Sequence, residues 1–137
     1  MKIALCASMI FSKEMIEVKS ELESHWHEVI LPHNTEKYAQ NVLESETRIE
    51  SAKNKIEHDL IRKYFDIIKD CDAVLIVNYD KNGITNYIWG NSFLEAAFAY
   101  VLRKKVFFLN AIPDMVYTDE LKALQPTILD GDVNNIK

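Results

Sequence analysis

Five aliphatic residues in a row, AVLIV inside DAVLIVN (72–78), constrain this 137-residue chain more than any other feature. A strand with one wet face alternates apolar and polar residues. One this continuous must be covered on both faces, as the strands of parallel sheets are. The sequence therefore has to supply helices on two sides of a sheet, and it alternates accordingly. KIALCAS contains a first strand at 3–8. Ser12 can cap a helix reaching about Trp26, because Met15, Val18, Leu22 and Trp26 recur every three or four residues. EVILP (28–32) reads as a second strand stopped by its proline. Residues 35–69 are charged and helical in period, with Ile56, Leu60, Ile61, Tyr64, Phe65 and Ile68 as the apolar stripe of the second half. The first half, NVLESETRIESAKNK, is the most polar part of the chain. After 72–78 come a polar loop, YDKNGITNYIWGN, an apolar helix over 91–103 and a strand, KVFFLN (105–110). A short helix at 118–124 and a fifth strand at 127–129 complete the chain.

Strands alternating with helices predict one α/β domain, a three-layer sandwich around a mostly parallel sheet of four or five strands, flavodoxin- or Rossmann-like. Ligands of such sheets bind beyond the carboxyl ends of the strands. That rule selects residues 6–10, 32–34, 78–91 and 110–114. A formal net charge of −5 without a long Lys/Arg block argues against a partner that is nucleic acid or an anionic membrane surface. A small molecule or a protein fits better. No segment is long enough to span a bilayer, and the start of the chain lacks the pattern of a signal peptide. The expected location is the cytoplasm, with Cys6 and Cys71 as free, inert thiols in or beside buried strands.

Glu95 interrupts the apolar helix face of NSFLEAAFAYVLRKK. Near a helix start the dipole favours an ionised carboxylate, which suits a nucleophile in the crevice and equally an ordinary first-turn acid. Asp59, in EHDLI, is either a solvated helix residue or a second carboxylate that shares the cleft and divides acid and nucleophile roles with Glu95. Ser8 lies in the turn after the first strand, which has no glycine. Gly90 and Asn91 close the long loop at the start of the Glu95 helix, where a ligand can approach backbone closely. Tyr79, Tyr87 and Trp89 in that loop can stack a nucleobase or pack over the sheet edge. His25, His27, His33 and His58 form no zinc-like spacing, so neither metal nor cofactor is expected.

Taken together, Cys6-Ala7-Ser8, HDL around Asp59, CDAVLIVN, Gly90 and LEAAFAYVLRKKVFFL resemble the nucleoside 2-deoxyribosyltransferase-like superfamily, which includes 2′-deoxynucleoside 5′-phosphate N-hydrolases. The likeness covers most of the chain. It implies Glu95 as nucleophile, Asp59 as the acid engaging the nucleoside, and Ser8 as a holder of the 5′-phosphate. Gly90 and Asn91 become substrate-binding positions. Departures are Ala4 in place of a frequent tyrosine, Ala7 in place of glycine, and Phe93 where glycine is common. The implied activity is cleavage or transfer of an N-glycosidic bond through a covalent glycosyl-Glu intermediate, in a homo-oligomer. Two alternatives stand beside it: a nucleotide-binding module without chemistry, and a protein-interaction domain using the aromatic loop.

Overall fold

The computed structural model describes residues 1–41 and 48–137. Five parallel strands, β1 (Lys2–Cys6), β2 (Glu28–Ile30), β3 (Ala73–Ile76), β4 (Lys105–Phe108) and β5 (Thr127–Ile128), form one sheet in the order β2-β1-β3-β4-β5. This is the flavodoxin-like arrangement expected above. Its topological switch point lies between β1 and β3, where successive connections leave on opposite faces of the sheet.

Side-chain alternation within the strands builds two cores. Ile3, Leu5, Ala73, Leu75 and Phe107 face Met15, Val18 and Leu22 of α1 (Ser12–Ser24). Ala4, Cys6, Val74, Ile76, Val106 and Phe108 face the other layer. That second layer consists of α4 (Leu60–Lys69), α5 (Gly90–Val101) and α6 (Thr118–Ala123). All four residues of β3 are buried, because both of its faces are covered. Each fully buried Ile or Leu contributes roughly 1.5–3 kcal/mol.

The expected helix over 35–69 is three helices: α2 (Thr35–Ala39), α3 (Arg48–Glu57) and α4. The part of that expectation falling on residues 42–47 lies outside the described residues. Asp59 breaks α3 from α4 by adopting a left-handed conformation, φ 50°. Helix α1 also stops short of Trp26, which takes φ 68° and is 94 % exposed. The helical spacing predicted Trp26 as the last residue of the buried stripe; a C-terminal turn, with the His27 amide donating to the Leu22 carbonyl, swings it outward instead.

Beyond the ends of β3 and β4, Asn78 and Asn110 clamp each other. The Asn110 amide donates to Asn78 Oδ1 and Asn110 Nδ2 donates to the Asn78 carbonyl, both at 2.9 Å. Asn78 Nδ2 returns bonds to the carbonyls of Asn110 and Ala111 at 3.1 and 3.2 Å. Asn78 is fully buried, and these bonds satisfy its amide.

Candidate functional site

A cavity of about 660 Å³ opens at the carboxyl ends of β1, β2 and β3. Ala7 and Met9 follow β1, Leu31 to Asn34 follow β2, and Trp89, Asn91 and Glu95 follow β3; α3 and α4 close the remaining side with Lys55, His58 and Lys63. Three of the four segments selected from the sequence thus line it. The fourth, 110–114, does not.

Glu95 sits in the second turn of α5 and is only 6 % exposed, yet it reaches the cavity wall. Asn91, one turn earlier, donates from Nδ2 to Glu95 Oε1 at 2.8 Å. Burial pushes the carboxyl from its ordinary 4.5 up to about 8; a hydrogen bond with the Cys6 thiol and the charge of Lys55 pull the other way and lose. The expectation that the helix dipole keeps this group ionised is corrected here: desolvation outweighs it, and Glu95 is mostly protonated at pH 7. Burial, followed by the field of Glu95, likewise raises the Cys6 thiol. Tyr64, also on the wall, is raised by burial, then by Cys6 and Glu95; its hydroxyl donates to the Leu5 carbonyl.

The remaining residues singled out from the sequence divide. Asp59 is exposed, is not part of the cavity lining, and pairs with Arg62 Nη1 at 3.1 Å. The two carboxylates therefore do not converge on this cavity. Ser8 is buried, and its Oγ accepts from Lys81 Nζ at 3.0 Å. Gly90 begins α5 and has open space where a side chain would project. Phe93 turns away from the cavity and stacks on Tyr117, with ring centroids 4.7 Å apart and planes 7° from parallel. The Tyr117 hydroxyl in turn donates to the Ile88 carbonyl.

Basic side chains gather around this space. Lys55 and Lys63 line it, and His33 and His58 face each other there with ring centroids 6.0 Å apart. Lys55 Nζ lies 4.8 Å and Lys81 Nζ 5.7 Å from the centre of the Trp89 ring. Among the described residues Glu95 is the one acidic residue of the lining. Two signals in the sequence pointed this way. Asn54, Lys55 and His58 share one helix face, and Asn-Gly at 82–83 marks a tight hairpin turn. In the structure Asn82 and Gly83 both have positive φ, and paired hydrogen bonds between Lys81 and Ile84 close that turn, holding Lys81 over Ser8.

Among the described residues no group of three or more His, Cys, Asp or Glu side chains is arranged to hold a metal ion, and no helix is long and apolar enough to cross a membrane. The chain matches no protein-family model and no curated protein.

Proposed function

We propose that the cavity binds a nucleoside or nucleotide and that Glu95 cleaves or transfers its N-glycosidic bond. The observation carrying this reading is a carboxyl group buried to 6 % exposure, oriented by Asn91, at the wall of a small-molecule-sized cavity at the sheet's switch point. Trp89 offers a stacking surface for a base. The lysine and histidine groups of the rim suit a 5′-phosphate.

In the mechanism, an ionised Glu95 oxygen attacks the anomeric carbon while the carbon–nitrogen bond breaks. The bonding pair leaves with the base, which takes up a proton from water. Water or a second base then attacks the same carbon and frees the carboxylate, so the anomeric configuration is retained. Positive charge developing on the sugar favours the ionised carboxylate, which makes turnover rise with pH toward about 8. Asp59 has no part in this scheme.

A second reading, a nucleotide-binding module without turnover, is favoured by one observation: Glu95 rests protonated and, among the described residues, no second carboxylate lines its cavity. One experiment separates the two. Wild type and Glu95→Gln are incubated with deoxynucleosides, ribonucleosides and their 5′-monophosphates, and free base is quantified by chromatography. Base released by wild type alone supports the enzyme; binding without release supports the module. Exposed Ile61 and Leu94, on α4 and α5, support a homo-oligomer through that face. Sedimentation showing only monomer at micromolar concentration would count against it.

A further inference from the structure

At the other end of the sheet, where α5 ends and β4 begins, lies a groove of about 740 Å³. Its apolar surface comes from Tyr100 and Val101, exposed at the end of α5; Val106, Phe107 and Leu124 beneath them are buried. Arg103, Lys104 and Lys105 reach it from the α5–β4 turn, and Lys137 from the segment after the last helical turn. Among the described residues no acidic side chain lines it. In a chain of net charge −5, four cations around one concavity are a marked local excess; Lys105 Nζ already donates to the Lys137 main-chain oxygen at 2.8 Å, which leaves Arg103, Lys104 and Lys137 to meet a ligand.

The backbone adds an independent observation. Arg103 follows the last turn of α5 with φ 58°, while the Lys104 amide donates to the Ala99 carbonyl at 2.8 Å. That is a helix C-terminal motif whose left-handed position ordinarily holds glycine. An arginine there costs roughly 1 kcal/mol relative to glycine. The negative end of the α5 dipole rationalises one cation, not three from this turn and a fourth from a separate segment.

We propose that this groove is a second ligand site, for a small polyanion that carries an apolar or aromatic group. Phosphate or carboxylate oxygens would meet the guanidinium and ammonium groups, and the apolar portion would lie on Tyr100 and Val101. The inference stands independently of the nucleoside reading of the Glu95 cavity.

Calorimetric titration of the full chain with sodium tripolyphosphate and with ATP tests it. The double variant Arg103→Gly/Lys104→Ala removes two cations and relaxes the strained backbone, so its melting temperature should equal or exceed that of wild type. Expected at the groove are ATP binding at least fivefold tighter than tripolyphosphate and at least tenfold weakening of both in the double variant; Lys63→Ala should leave this groove affinity unchanged and weaken only a separate ATP-binding event at the Glu95 cavity. Affinity should fall as salt rises. Absence of binding to millimolar ligand would overturn the proposal, and so would binding that Lys63→Ala abolishes and the double variant keeps. Tripolyphosphate binding as tightly as ATP would remove the apolar half of the assignment.

Discussion

Replacing Glu95 by glutamine should stabilise the protein, and by an amount that depends on pH. The folded state holds the Glu95 proton up to about pH 8, whereas the unfolded chain releases it near 4.5. Between those values the native state binds more protons than the unfolded state, so wild-type stability falls as pH rises. At about 1.4 kcal/mol per pH unit the loss is negligible below 4.5, about 3 kcal/mol at pH 7 and about 5 kcal/mol above pH 8. Glutamine has no proton to lose, and its carbonyl can still accept from Asn91 Nδ2. Urea unfolding of both proteins at pH 5, 7 and 9 measures the difference, in which the titrating groups not coupled to Glu95 cancel. Glu95→Gln should gain less than about 1 kcal/mol at pH 5 and roughly 5 kcal/mol at pH 9, with any turnover lost. A difference that stays constant across this range would refute the burial argument, and a variant less stable at every pH would refute it too.

Lys55→Ala removes the charge that favours ionised Glu95, so the pH of half-maximal turnover should move upward; an unmoved pH–rate profile would separate Lys55 from Glu95. Asp59→Asn breaks an exposed ion pair worth less than about 1 kcal/mol and should leave turnover within twofold of wild type, read from initial rates. A larger loss would return Asp59 to the reaction. Phe93→Ala forfeits the stack on Tyr117 and should destabilise the chain by about 1–3 kcal/mol in urea unfolding. Because its ring lies outside the cavity, KM should be unchanged.

The fold was legible because its signals are local and repeated. The five-aliphatic run in β3 demanded two covered faces, and the three-to-four-residue spacing of Met15, Val18 and Leu22 supplied one cover. Where the reading failed, a backbone event overrode a side-chain pattern. Trp26 continues a helical spacing but takes positive φ and ends up outside the layer its period implied; Asp59 also takes positive φ, which splits the expected long helix, and it is exposed, as its solvated reading had it. At the site, the position of Glu95 was readable from its place after the third strand. Its protonation was not, since that depends on how completely Cys6, Tyr64 and the sheet enclose it. The basic rim was hidden for another reason: Lys55, Lys63, His33 and Lys81 come from four separate segments, each unremarkable in a charged surface.

The Asn78–Asn110 clamp makes the two walls of the Glu95 cavity mechanically unequal. The segment bearing Lys81 and Trp89 leaves the sheet at a residue bonded on every side, so its root cannot swing. The opposite wall, with Lys55 and His58, rests on α3 and on the bend at Asp59. We expect a ligand entering the cavity to displace that wall, and the Lys55 contact with Trp89, before the aromatic loop. Amide hydrogen exchange should be faster along α3 than at Val77 and Tyr87, whose amides donate to the carbonyls of Cys6 and Tyr79, and a bound ligand should slow it there first.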